Sequence, residues 1–255
     1  RERARKQPEL LPARGRSQET AGPGTRSDSL PPGNRAILAA MQTGPRQTAI
    51  EFRSGGEPVQ GVLSTPVDGR PPYPGAAVCH AHPLFGGNMD SPLIFAICRA
   101  LADHGVASLR FNFRPFGEGA TEAGGSACED AAAALKMLRD WHEVRSGQCG
   151  LAGYSAGAAA IARGLDSLKA AKALALIAPP LSAVRSSGLA RDRRPKLFVV
   201  GVRDKIVSHD ELSAIVSQMA GPPEIALVEG DHGLRGQEEQ VAAKVAAFLG
   251  ERLRR

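Results

Sequence analysis

The sequence predicts a three-layer α/β/α fold, built on a mostly parallel eight-stranded sheet with an antiparallel N-terminal hairpin. Two patterns carry this expectation. From residue 73 onward, continuous apolar runs such as "GAAVC", "LALIA" and "LFVVG" alternate with helical segments, as expected for strands buried on both faces. Before them stand two short alternating runs separated by "GGEP", a hairpin signal. A chain of 255 residues is long enough for one domain with a substantial core.

The elements follow in order. "QTAIEFRS" and "VQGVLSTP" form the hairpin. "YPGAAVCHAH" is a buried strand ending in histidines, and "SPLIFAICRALADHG" is a helix with Asp90 or Ser91 as its cap and Gly105 at its end. "VASLRFNF" is the next strand. "SACEDAAAALKMLRDWH" is a helix, with Ser126 placed to cap it three residues before Glu129. "QCGLAGYS" is a strand that breaks into the helix "AGAAAIARGLD". "ALALIAP" and "PKLFVVGVRD" are further buried strands. "HDELSAIVSQMA" is a helix, "EIALVEG" the last strand and "GQEEQVAAKVAAFLGERLRR" an amphipathic terminal helix.

Residues 1–45 are rich in Pro, Gly, Ser, Arg and Gln, with little to bury. They are expected to form a disordered extension to a domain spanning 46–255. "MQTGPRQTAIEF" begins at Met41, where the strand pattern starts, so the functional protein is expected to begin near there. The net charge of +6 is uneven. Residues 1–40 carry eight Arg and Lys against four Asp and Glu, and residues 41–255 carry 24 against 22. A near-neutral domain without a basic stripe argues against a nucleic-acid partner. No apolar run is long enough to cross a membrane, and no secretory apolar region is present, so a cytoplasmic protein with no membrane partner is expected. The spacings of Cys79, Cys98, Cys128 and Cys149 match no zinc pattern. Cys79 and Cys149 read as buried reduced thiols.

One stretch concentrates chemistry. Gly153-Tyr154-Ser155-Ala156-Gly157 fits G-x-S-x-G, with a strand entering and a helix leaving. A serine hydroxyl is a weak nucleophile until a base accepts its proton, and the base needs an orienting acid. Behind such an elbow, acid and then base follow in chain order. His232 lies between the last strand and the last helix, where a base belongs; His209, at a helix start, is the other downstream histidine. Asp204 directly follows a buried strand and is preferred as acid over Asp192, in a charged loop, and over Asp231, adjacent to His232. For a developing oxyanion, backbone donors are expected from Ala156 and from the loop "HAHPLFGGNMD". Pro83 has no N–H, so Leu84 is chosen, with Phe85 as fallback. His80 and His82 have a ligand-like spacing without a third ligand. No metal or cofactor is expected, and the two histidines should brace their loop.

These residues resemble the α/β-hydrolase superfamily, and within it small lidless bacterial proteins like dienelactone hydrolases. In those relatives the first loop reads H-x-HPL-[YF]-GG-x-MD and the next strand LRFNFR. Here the same motifs read "HAHPLFGGNMD" at 80–90 and "LRFNFRPFGEG" at 109–119. The resemblance covers about residues 46–250. It implies a Ser155–Asp204–His232 triad and a hydrolase forming an acyl-enzyme. The chain departs from the pattern at Pro115-Phe116, where such proteins often have Gly-Val. Its nucleophile is serine where dienelactone hydrolases use cysteine, which argues against that substrate. Between the sixth and seventh strands only "PLSAVRSSGLARDRRP" intervenes, too short for a lid. An open, shallow site is expected, with Leu84, Phe85, Phe116, Leu181, Val207 and Leu234 as an apolar wall suited to a small ester. A thioesterase or peptidase would use the same triad, and a binding module could reuse the fold. The oligomeric state is left open.

Overall fold

The computed structural model describes residues 44–115, 125–221 and 223–255. Residues 1–43 of the expected N-terminal extension, and Phe116, lie outside the described residues. Within them the strands are β1 (Arg46–Ser54), β2 (Glu57–Thr65), β3 (Tyr73–Cys79), β4 (Ala107–Phe111), β5 (Val144–Tyr154), β6 (Leu174–Ile177), β7 (Lys196–Gly201) and β8 (Pro223–Val228). The helices are α1 (Pro92–Asp103), α2 (Gly125–Asp140), α3 (Ala156–Arg163), α4 (Leu181–Ser186), α5 (His209–Val216) and α6 (Glu238–Arg252).

The strands form one sheet in the order β1-β2-β4-β3-β5-β6-β7-β8. The β1–β2 and β2–β4 pairs are antiparallel, and every pair from β4 across to β8 is parallel. Alternation along the central strands feeds two cores. Ala77 and Cys79 of β3, Leu174 and Leu176 of β6, and Phe198 and Val200 of β7 face one core with α2, α3 and α4. Ala76 and Val78, Ala175 and Ile177, and Leu197 and Val199 face the other, with α1 and α6. The terminal helix buries Val241, Ala242, Val245, Ala246, Phe248 and Leu249, the stripe of an amphipathic helix. Each large apolar side chain buried this way contributes about 1.5–3 kcal/mol relative to exposure.

Local signals decide where the elements begin. Ser91 occupies the N-cap position of α1, with Pro92 in its first turn, and Gly105 (φ 67°) lies just past its end. Helix α2 starts at Gly125, so Ser126 lies inside its first turn rather than capping it. All four cysteines are free, and Cys79, Cys98 and Cys149 are buried. Burial pushes the thiols of Cys98 and Cys149 up to about 11, so they pack as small apolar groups. No helix among the described residues is long and apolar enough to cross a membrane.

The topology itself selects a location for chemistry. The chain passes from β3 to β4 on one side, then returns to β5 on the other side of β3. At such a reversal the loops leaving the two strand ends diverge and open a crevice at their carboxyl ends. The loop after β3 and the turn after β5 both emerge there.

Candidate active site

Strand β5 runs into Ser155 with no intervening loop, and α3 starts at the next residue. Ser155 has φ 51° and ψ −107°, a conformation that costs a non-glycine residue about 1–3 kcal/mol. Two features hold it there. Its N–H donates to the Ile177 carbonyl at 2.8 Å, tying the turn to β6. The small neighbours allow strand and helix to meet: a Cβ on Gly153 would lie 2.6 Å from the Gly157 backbone, and one on Gly157 would lie 2.4 Å from the Cys79 carbonyl oxygen. The turn lifts the Ser155 hydroxyl into the crevice.

Asp204 and His232 come from the loops after β7 and β8. His232 Nε2 lies 3.1 Å from Ser155 Oγ, and His232 Nδ1 lies 2.8 Å from Asp204 Oδ2. The Asp204 side chain has no exposed surface, and its other oxygen accepts the N–H groups of Ile206 and Val207, each at 2.8 Å. A carboxylate so bonded is fixed in position and accepts Nδ1–H from the ring, which leaves Nε2 free to take a proton from Ser155. The other downstream candidates are elsewhere. His209 begins α5 beside Asp210, Asp192 pairs with Arg194 at 2.6 Å, and Asp231 accepts the Gly233 N–H.

The loop after β3 is knitted to the end of β4. His80 Nε2 accepts the Phe113 N–H at 3.1 Å and its Nδ1 donates to the Ala81 carbonyl, which specifies a neutral ring. Burial lowers the His80 pKa, an effect the Ala81 bond opposes and the nearby His82 reinforces. Asn112 Oδ1 accepts the Met89 N–H at 2.9 Å, and Arg110 pairs with Asp90 at 3.2 Å. The two motifs of the sequence are thus one hydrogen-bonded assembly. Among the described residues no cluster of three or more His, Cys, Asp or Glu could hold a metal.

A cavity of about 890 Å³ opens over Ser155. Ala81, His82, Phe85, Ala156, Ile206 and His232 are on its wall, joined by Tyr154, Pro180 and the charged Arg163, Arg235 and Glu238. Of the residues expected there, Phe85 is on the wall and Ala156 begins α3 with its N–H in the unpaired first turn of the helix. The others are placed differently. Leu84 is off the wall and 75% exposed, and its N–H donates to His82 Nδ1 at 3.2 Å. The Phe85 N–H is likewise committed, to the His82 carbonyl at 3.0 Å, as are those of Gly86 and Gly87 within the loop. Val207 and Leu234 are wholly buried in the two cores. Leu181 packs against a core as a partly buried residue while its neighbour Pro180 takes the wall. Beside Val207 it is Ile206 that lines the cavity, and beside Leu234 it is Gly233 and Arg235. The reason is local. The Asp204 carboxylate binds two successive amides, turning Val207 inward and Ile206 outward, and Leu234 sits at φ 52° in a tight turn. Tyr154, Arg163 and Arg235 were not singled out from sequence. Only Tyr154 carried a signal, as the residue preceding the elbow serine.

Known proteins share this fold. A family model described as an alpha/beta hydrolase domain matches residues 74–247. An uncharacterized protein of Rickettsia prowazekii is 27% identical over 190 residues, covering 70% of this chain and 79% of that protein. An alpha-beta serine hydrolase homologue from Coxiella burnetii superposes with a TM-score of 0.67 at 25% identity, over 78% of this chain and 96% of its own. A serine hydrolase without lid from Xanthomonas campestris shares the fold with a TM-score of 0.63 at 24% identity, over 78% and 94%. With the family matched over more than half its length, the chain belongs to the alpha/beta hydrolase family and is a hydrolase.

Proposed function

We propose that the protein is a serine esterase cleaving small carboxylic esters through an acyl-enzyme. One observation carries this reading: the unbroken relay Asp204–His232–Ser155, with bonds of 2.8 and 3.1 Å, ending on a serine raised in a strained turn. His232 Nε2 takes the Ser155 proton as Oγ bonds to the ester carbonyl carbon. Asp204 holds the ring and balances the imidazolium that forms. The imidazolium then returns its proton to the alkoxide as the C–O bond breaks, releasing the alcohol. Water, deprotonated by the same nitrogen, frees the acid and regenerates Ser155.

The tetrahedral oxyanion needs two backbone donors. Ala156, at the first position of α3, supplies one, and the helix dipole adds to it. The second comes from the Ala81–His82 end of the β3 loop. Both residues line the cavity over Ser155.

The substrate range follows from the wall. Between β6 and β7 stand only α4 and a single 3-10 turn, Gly188–Ala190, too short an insertion to form a lid over the mouth. A cavity of about 890 Å³ can hold both halves of a small ester, while Arg163, Arg235 and Glu238 are poor neighbours for a long alkyl chain. The reading also places the protein in the cytoplasm, in keeping with its free cysteines.

The test is labelling with a fluorophosphonate probe and hydrolysis of p-nitrophenyl acetate. The protein should label and hydrolyse. Ser155→Ala should do neither, and His232→Ala should lose about 10³-fold or more in kcat. A folded protein that neither labels nor hydrolyses esters would favour a binding module; faster turnover of thioesters or amides than of esters would move the assignment to those bonds.

A further inference from the structure

His232 has far to come. It follows β8 at the edge of the sheet, while Ser155 follows β5, with the ends of β6 and β7 between them. A loop that must lean across two strand ends needs to be held at its tip, or the ring will sample positions out of reach of Oγ. Its flanks are tied down: the Gly230 carbonyl accepts the Arg203 N–H at 2.8 Å, and the Asp231 carbonyl accepts the Leu234 N–H at 3.2 Å. At the histidine itself the ring is bonded to Asp204, and the main-chain carbonyl accepts the hydroxyl of Tyr154 at 2.8 Å.

Tyr154 is the last residue of β5, directly before the nucleophile. Its ring is half-buried, packed against the core that holds α1 and α6, and lies 6.3 Å from the imidazole. One strand end therefore presents the hydroxyl to be deprotonated and, one residue earlier, a second hydroxyl that grips the backbone of the base. The distance from Nε2 to Ser155 Oγ is closed through a short circuit: β5, the tyrosine, the His232 carbonyl and the ring. We propose that Tyr154 is a positioning residue, whose hydroxyl fixes the His232 main chain so that Nε2 stays within hydrogen-bond reach of Ser155. This rests on the triad reading given above. Burial, with the negative charges of Asp204 and Asp231, pushes the phenol up to about 12, so it remains a donor at any ordinary assay pH.

Tyr154→Phe removes the O–H and keeps the ring. With p-nitrophenyl acetate, kcat should fall about tenfold with KM changed less than twofold, because small misplacements of a catalytic group are costly. In a His232→Ala background the same substitution should add no further loss, since the tyrosine acts through the histidine. Three results would overturn the proposal: an unchanged kcat, a raised KM at constant kcat (a substrate-wall role), or the same tenfold loss without His232. Should Tyr154→Phe fail to fold, a fluorinated tyrosine at 154 keeps the contacts and acidifies the phenol. Activity should then show an added loss on the alkaline side, where the phenol ionises and stops donating; an unaltered alkaline side would also overturn it. Failure of the triad reading is separate, since Ser155→Ala and His232→Ala would then retain wild-type rates.

Discussion

Ser155 and His232 meet across one hydrogen bond, but different physics holds them there. The serine is positioned by backbone and by exclusion. It sits between a central strand and a helix, its N–H is paired to β6, and Gly153 and Gly157 keep strand and helix in contact. The histidine and its aspartate ride on loops at the sheet's far side, steered by side-chain bonds to amides and carbonyls. The serine thus belongs to the core, and losing its geometry means losing the fold. The histidine belongs to a hydrogen-bonded network that can be adjusted with the core intact.

The sharpest break of this contrast is at the elbow. Gly157→Ala places a Cβ 2.4 Å from the Cys79 carbonyl oxygen, on two backbones that cannot yield. It should cost about 4 kcal/mol or more, read as a lowered urea midpoint or as insoluble protein. A midpoint within error of the parent would show that the elbow is not sterically closed. On the loop side the effects divide by residue. Val207→Ala, in the core, should lose about 2 kcal/mol by the same measurement. Its neighbour Ile206 is 69% exposed on the cavity wall, so Ile206→Ala should leave the midpoint within about 0.5 kcal/mol and alter KM instead. The reverse pattern would mean the loop turns the other way.

The smallest effect is expected from pH. Because His80 is held below its ordinary pKa, the unfolded chain takes up its proton first as pH falls. Its contribution to stability is complete above about pH 6.5 and declines as pH drops towards the folded-state value. Urea midpoints between about pH 7 and 5 should fall less steeply for His80→Gln than for the parent. Parallel slopes would remove His80 from the account.

The same contrast explains what could be read in advance. The parallel sheet, the strand-to-helix turn at Ser155 and the meeting of Ser155, His232 and Asp204 are legible because apolar runs, small-residue spacing and chain order are written in sequence. Asp204 and His232 were legible as residues following buried strands. The wall was not. The apolar side chains of Val207 and Leu234 predict a place on the wall, but an Asx-type double amide bond and a left-handed turn send those chains inward. Leu84 follows a proline that cannot donate, but a histidine two residues back claims its N–H. Such outcomes depend on the bonding of single side chains, which no periodicity records. Ser126 fails as a cap for a smaller reason, a helix start displaced by two residues.

The loop that carries Ala81 and His82 contains a 3-10 turn with no buried residue of its own. Its shape is stored next door, in the tail of β4, through Arg110, Asn112 and the Phe113 amide. Redesigning this enzyme for another substrate is therefore a two-segment problem. A new loop grafted between β3 and α1 would arrive without the template that moulds it, unless residues 110–113 were rewritten in the same step.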